Sequence, residues 1–394
     1  MRIEWFKMIR LFFISCLLIG MICYPDSVSA STPQDAVPSL MEHVSTNELE
    51  QSLQQLNQKY GDYLPDISIK DFRSVMEEEG GSTPKGWVSG ILSFLFHELM
   101  SNGKLLASLL FLTLFSTLLQ AMQSSFENTV VSRIAYMVIY LALIALALES
   151  FGQVIDYTIG AINQMSSFMI GLLPLLLGIM ASFSHLMSFS FFHPIIVVLV
   201  QSSGLLVKII LIPLFASSAL LLIVGTLNDT YKVDQLAELL RKTGMAIMGV
   251  YLTIFLGVIS VQGTVTAVQD GVTMKTARFV TGNFVPVVGR LFTDATDTIL
   301  GASLLLKNTL GLAGVIILLG IAIFPALKVF AIALIYKLAA ALLQPLGDGP
   351  VITAMAIVSR HIMYIFAALL MVSMMFFLVI VIMVAASNIT MMVR

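Results

Sequence analysis

From residue 87 to the C-terminus the chain is a series of apolar runs, separated by short polar breaks or breaks rich in Gly and Pro. A membrane-spanning helix needs about 20 apolar residues, so the runs predict about seven spans, give or take one or two. The predicted fold class is an all-α, polytopic helical membrane protein. The candidate spans are Leu105–Met122, Ile134–Phe151, Phe168–Phe183, Pro194–Ile212, Pro213–Leu227, Gly244–Val261, Leu310–Ile332 and Ile362–Ala386.

Three stretches leave the predicted topology open. Lys208 and Pro213 make the fourth and fifth candidate spans either two short helices or one broken helix. The polar stretch Asn228–Thr243 predicts an amphipathic surface helix. Residues 331–361 are apolar but interrupted, and they predict either a re-entrant turn, which needs protein or water to satisfy its backbone, or an ordinary loop. The residues of this candidate turn are Pro345, Gly347, Asp348, Gly349 and Pro350.

The N-terminus has the pattern of a signal sequence. Basic residues precede an apolar run from Leu11 to Cys23, and Val28-Ser29-Ala30 follows as a small-residue cleavage pattern. Residues 1–30 are therefore a signal peptide or, alternatively, an uncleaved anchor helix. Both cysteines of the chain, Cys16 and Cys23, lie in this segment.

Residues 31–86 form a polar, acidic segment that we expect to be extracytoplasmic, ahead of a multi-span membrane domain at 87–394. It carries ten acidic and four basic residues. Ser45 and Glu48 have capping-box spacing. A short helix is predicted to follow, with one apolar face formed by Leu49, Leu53, Leu56 and Tyr60.

Composition supports the membrane class and the charges suggest an orientation. Hydrophobic residues make up 58% of the chain and charged residues 11%, against about 45–50% and about 25% in soluble domains. Basic residues mark cytoplasmic loops, which places Arg133, the group at 232–242 and Arg394 inside. A predicted loop around Glu149 and Asp156 lacks Lys and Arg and is expected outside.

The chain matches itself at an offset of 111 residues, with candidate repeats near 130–220 and 241–331. Glycine and aromatic positions coincide, as in Gly152 with Gly263 and Phe168 with Phe279. The matches indicate either an internal duplication, which is common in transporters and channels, or the compositional bias of membrane sequences. Whether the copies are parallel or inverted stays open, because the span count per copy is ambiguous.

The densest polar cluster in an apolar setting lies in the second copy. Arg290, Asp294 and Asp297 share one face if the stretch after Pro286 is helical, and Asn283 lies just upstream. Ionisable residues within a bilayer usually face a cavity or a partner, so these four residues are a candidate polar path or gate. The alternative is an amphipathic helix at the membrane interface.

The sequence contains no pattern that indicates catalysis, a cofactor or a metal. His97-Glu98 lacks the second histidine of a zinc-protease motif. Snorkelling accounts for lysines beside apolar runs, such as Lys328. The chain is therefore not expected to be an enzyme, and catalytic residues, cofactors and metal ligands are predicted to be none.

Several segments together resemble stage III sporulation protein AE of endospore-forming bacteria. The leader, polar segment and membrane domain also follow in the same order. The segments are Gly257–Gly263, Thr276–Pro286, Phe292–Thr298, Tyr336–Ala341 and Gln344–Gly347.

The resemblance implies a role that composition does not. Members of this family are expected in the mother-cell membrane around the forespore, acting with the other stage III sporulation A-operon membrane proteins and with stage II sporulation protein Q from the forespore side. The assembly is expected to be a channel or feeding complex that sustains late forespore gene expression and spore development. The chain would then be one membrane subunit, with or without its own small-solute path. The alternatives are a stand-alone secondary transporter and a membrane scaffold without a path.

Overall fold

A computed structural model describes residues 46–64, 84–125, 130–181, 186–226, 233–284, 288–346 and 349–392, all within one compact unit, His43–Arg394. Residues 1–30, predicted to be a signal peptide or an anchor helix, lie outside the described residues, as do residues 285–287 of the second candidate repeat. The described part is helical throughout. Its helices are α1 Thr46–Tyr60, α2 Pro84–Ser101, α3 Gly103–Ser125, α4 Val130–Ala181, α5 Leu186–Leu205, α6 Ile212–Gly225, α7 Asp234–Phe284, α8 Val288–Leu343 and α9 Pro350–Met392.

Within these ranges five helical stretches are long and apolar enough to cross a membrane. A sixth span is added if α2 and α3, which bend by 48° at their junction, are taken as one broken span. The polytopic helical class is thus confirmed. The five stretches are Met137–Leu176, Pro194–Gly225, Asp234–Val261, Leu310–Leu343 and Pro350–Val384.

The prediction of a loop around Glu149 and Asp156 is wrong, because the helix α4 continues through these residues. Both carboxylates lie on the exposed side of the helix, whereas Phe151 and Val154 are buried on its inner side. A helix continues through charged residues when they face outward and no proline breaks the backbone hydrogen bonds. The candidate span Ile134–Phe151 and the described part of the candidate span Phe168–Phe183, up to Ala181, therefore belong to one helix.

The helix is not interrupted at Lys208 and Pro213 either. A π-helical segment, Leu206–Leu211, joins α5 to α6, so that residues 194–225 form one helical run. A π-turn inserts an extra residue into the helix. The predicted surface helix at Asn228–Thr243 is likewise the start of α7 over its described part, from Asp234 onward.

The core is an antiparallel pair, α8 and α9, against which α4 packs. Ser359 Oγ donates a hydrogen bond to the Ala333 carbonyl oxygen at 2.8 Å, and Tyr336 of α8 donates to the Leu146 carbonyl oxygen of α4 at 3.1 Å. Small residues permit close helix approach in membranes. Alanines buried on α8 and α9 include Ala313, Ala322, Ala326, Ala331, Ala333, Ala339, Ala354 and Ala368.

The helix predicted after Ser45 is present as α1, and it lies against the membrane bundle. Of the four residues predicted to form its apolar face, Leu49, Leu56 and Tyr60 are buried and Leu53 is half-buried. A short 3-10 turn, Gly61–Tyr63, ends the helix. The polar segment therefore places an amphipathic helix on the surface of the bundle.

Candidate functional site

An ion pair between a buried glutamate and a partly exposed lysine joins α2 and α8. Glu98 is 8% exposed, and its Oε2 lies 3.9 Å from Lys328 Nζ. Asn102 Nδ2, one helical turn on, donates to Glu98 Oε1 at 3.1 Å. Because ionised groups in an apolar bundle are costly unless paired, this pair is a candidate functional feature.

An aromatic ring of α4 also contacts the lysine of the ion pair. Lys328 Nζ lies 5.2 Å from the Tyr157 ring centroid, within the range of a cation–π interaction. Three helices far apart in sequence thus supply one side chain each: Glu98 from α2, Tyr157 from α4 and Lys328 from α8. We call these three residues the charged cluster.

The end of α1 lies next to the charged cluster. The Tyr60 ring stacks on Phe324, with centroids 4.0 Å apart and planes 8° apart, and Phe94 meets both rings edge-on. Burial, followed by the nearby carboxylate of Glu98, raises the pKa of the Tyr60 phenol to about 12. The phenol therefore stays neutral at physiological pH beside the acidic group.

A second polar junction ties α6, α7 and α9 together. Ser218 Oγ donates to the Ala237 carbonyl oxygen at 2.7 Å and lies 3.1 Å from Nε2 of His361, which is fully buried. Arg241 Nη1 donates to the Tyr364 hydroxyl oxygen at 3.0 Å. Because Ser218 and His361 are buried and have partners inside the protein, the junction serves packing between the three helices.

The π-helical segment directs a lysine toward α4. Lys208 Nζ donates a hydrogen bond to the Asn163 side-chain oxygen. Gly204, one turn earlier, lies close to Ile162, since a Cβ there would be 3.2 Å from the Ile162 methyl group. The π-helical segment thus lies where α5 closely approaches α4. It also carries a second lysine that has a polar side chain as its partner.

The candidate path residues predicted from sequence fall on α7 and α8, but their side chains lie outside the described residues. Asn283 is on α7, and Arg290, Asp294 and Asp297 are on α8, one continuous helix after Val288 as the prediction required. Their role as a path or gate stays a prediction.

The candidate re-entrant turn connects α8 to α9. Gln344–Leu346 is a 3-10 turn after Leu343, and α9 begins at Pro350. Pro345 is exposed, Gly349 and Pro350 are partly buried, and Gly347 and Asp348 lie outside the described residues. Residues 331–343 continue α8 rather than forming part of the turn.

The charged cluster was missed from the sequence. In the sequence, Glu98 stands out only as part of an incomplete zinc motif with His97, and Lys328 only as a lysine beside an apolar run. One signal could have found them: an ionisable residue inside an apolar run is a functional candidate by default. Across the described ranges, no group of three or more His, Cys, Asp or Glu side chains is arranged to hold a metal ion.

Long apolar helices packed around buried polar contacts define a polytopic helical membrane protein with a charged cluster at one face. Residues 67–387 match the family described as Stage III sporulation protein AE. The chain is 48% identical over 365 residues to a Bacillus subtilis (strain 168) protein named Stage III sporulation protein AE, covering 93% of this chain and 92% of that protein. The chain therefore belongs to the stage III sporulation protein AE family. No solved structure matches it.

Proposed function

We propose that this protein is a membrane subunit of a channel or feeding complex between mother cell and forespore, needed for late forespore gene expression and spore development. The observation that carries the proposal is the 48% identity to the Bacillus subtilis sporulation protein over nearly the whole of both chains. The structure supports it with a bundle of membrane-length helices that contains a paired charge.

The proposed location is the mother-cell membrane surrounding the forespore. The proposed partners are the other stage III sporulation A-operon membrane proteins and, directly or indirectly, stage II sporulation protein Q from the forespore side. The proposal assigns no catalysis to the chain. The acidic segment that contains α1 would face the space between the two membranes, toward the forespore.

Gene replacement in Bacillus subtilis tests this function. A strain whose own stage III sporulation protein AE is replaced by this chain is expected to express a late forespore reporter and form heat-resistant spores, because 48% identity preserves the fold and most contacts. The measurements are reporter activity and spore count, beside a strain with the gene deleted. Output equal to that of the deletion strain, with the chain present in the membrane, would contradict the proposal.

Two further measurements separate the alternatives. A stand-alone transporter would take up solute in vesicles without partner proteins, whereas a conduit subunit would need them. A scaffold without a path would tolerate changes in the charged cluster as long as partner binding persisted.

A further inference from the structure

Among the described glycines, four that lie inside long helices have nothing packed against them. A Cβ built at any of these four would meet no neighbouring atom within 4 Å. A glycine inside a helix costs about 1 kcal/mol relative to alanine. Elsewhere in the bundle this cost accompanies close packing, as at Gly244, where a Cβ would be 2.7 Å from the Phe215 ring. The four open glycines are Gly152 and Gly160 on α4 and Gly249 and Gly257 on α7.

On α4, Gly160 lies in a polar stripe. Five exposed residues follow one another at steps of four, three, four and three residues, a spacing that keeps them on one side of a helix and is typical of helices packed side by side. Among the described residues, no ion pair includes Glu149 or Asp156. We call the five residues the α4 stripe: Glu149, Gln153, Asp156, Gly160 and Asn163.

A stripe with the same spacing lies on α7. Its four exposed residues lie at steps of four, three and four, and we call them the α7 stripe: Lys242, Ala246, Gly249 and Thr253. Of the five apolar stretches, the one on α7 is also the least buried. The α7 stripe therefore combines a cation with small side chains, on a helix side that the described part of the chain leaves uncovered.

α4 is antiparallel to the helical run of α5 and α6. Tyr140 donates a hydrogen bond to the Ile223 carbonyl oxygen at 2.8 Å, whereas Ile162, later on α4, contacts Gly204, earlier on α5. Rising residue numbers on α4 thus meet falling numbers on the α5–α6 run.

α7 is antiparallel to the same run, so α4 and α7 run in the same direction. Ser218 donates to the Ala237 carbonyl oxygen at 2.7 Å, and the earlier Ser202 is hydrogen-bonded to the later Tyr251 hydroxyl at 2.8 Å. Because Ile162 contacts the same turn of α5 that carries Ser202, α4 near residue 162 is level with α7 near residue 251. The two stripes are therefore parallel, and level to within about one helical turn, or about 5.4 Å.

The two stripes complement each other in charge and in size. When the first residue of one is placed opposite the first residue of the other, each facing pair joins opposite charges or a larger and a smaller side chain. Lys242 also lies 2.9 Å from Glu238 of its own helix, but an exposed pair of this kind contributes little. The facing pairs are Glu149 with Lys242, Gln153 with Ala246, Asp156 with Gly249, and Gly160 with Thr253.

Two copies of the α4 stripe do not complement each other in this way. Side by side and parallel, they would bring Asp156 against Asp156 and Glu149 against Glu149, and like charges that face each other at an interface are costly. The charges therefore favour α4 of one copy against α7 of another.

We propose that the α4 stripe of one copy of this chain binds the α7 stripe of the next copy, in a head-to-tail interface. Small residues let helices in a membrane approach closely, and copies in one membrane share their orientation, as parallel and level stripes require. Because the stripes lie on separate helices, each copy contacts one neighbour through α4 and another through α7. An interface of this type forms a ring when its rotation closes. The interface does not rest on the proposed function.

Disulfide formation between two single-cysteine copies tests the interface. Both copies carry Cys16→Ser and Cys23→Ser; one also carries Gly160→Cys and the other Thr253→Cys. They are expressed together, and isolated membranes are treated with a mild oxidant. A disulfide needs Cα atoms about 4.4–6.8 Å apart, which the facing positions provide. A band with the mass of two copies is expected on a non-reducing gel, and reduction should remove it.

Two controls make the result specific. Val250 is 59% exposed but lies beside the α7 stripe, so Val250→Cys in place of Thr253→Cys should give little or no band. Copies that all carry Gly160→Cys should also give none, because the α4 stripes do not meet. A control band as strong as that of the Gly160→Cys and Thr253→Cys pair, or no band for that pair, would overturn the proposal.

A charge exchange provides a second measurement that needs no cysteine. Glu149→Lys places a cation opposite Lys242, so the particle mass of the full chain in mild detergent, measured by light scattering, should fall toward that of one copy. Adding Lys242→Glu restores opposite charges and should restore the larger mass. An unchanged mass in Glu149→Lys, or no recovery in the double variant, would contradict the interface.

Discussion

Removing the Glu98 carboxylate in a Glu98→Ala variant is expected to lower the free energy of unfolding of the full chain by about 2 kcal/mol. The change leaves the Lys328 ammonium, 3.9 Å from the carboxylate in the native protein, without its opposite charge in a largely apolar setting. It also removes one of the two acceptors of the Asn102 amide, which keeps its hydrogen bond to the Glu98 backbone carbonyl oxygen. A polar group left unsatisfied costs about 1–3 kcal/mol. Unfolding of the purified protein in detergent, followed by circular dichroism, measures the loss.

The matched controls test whether the pairing causes the effect. Glu50→Ala removes a carboxylate from the exposed side of α1 and should change stability by no more than about 0.5 kcal/mol. The double variant Glu98→Gln with Lys328→Met removes both charges together, and should recover most of the stability because a neutral pair needs no compensation. A Glu98→Ala variant as stable as Glu50→Ala would contradict the assigned pairing.

Gly90→Ala is expected to release α1 from the bundle. A Cβ at Gly90 would overlap the Tyr63 carbonyl oxygen, and because this atom belongs to the backbone, the turn Gly61–Tyr63 must move away from α2. The Tyr63 ring, 5.2 Å from Phe94, would move with it. Overpacking costs about 1–3 kcal/mol, so amide exchange in α1 should accelerate by about 5- to 150-fold.

Gly61→Ala is the control for this prediction. Gly61 lies on the same turn, but nothing stands within 4 Å of a Cβ built there. Hydrogen exchange followed by mass spectrometry should therefore show α1 protected as in the unchanged protein. Equal exchange in the two variants, whether slow or fast, would show that the contact between Gly90 and Tyr63 does not hold α1.

Local patterns in the sequence were sufficient for part of this fold. The apolar positions Leu49, Leu56 and Tyr60 recur at helical spacing, and the helix buries them. The long apolar runs predict the membrane class, because apolar side chains in such number must be removed from contact with water. Both inferences depend only on residues near one another in the chain.

Other features depend on contacts that no local pattern contains. The polar composition around Glu149 and Asp156 predicts a loop. In the structure both side chains face outward, and α4 continues through this stretch. Glu98 and Lys328 are paired only because α2 and α8 pack together. Their separation in sequence hides the pair from any argument based on spacing.

The central claim is that the charged cluster serves function and not only stability. The most direct test is late forespore reporter expression in Bacillus subtilis whose own stage III sporulation protein AE is replaced by the Glu98→Gln, Lys328→Met double variant. When the variant is present in the membrane in the same amount as the unchanged chain, reporter expression is predicted to fail. Expression at the level of the unchanged chain would contradict it.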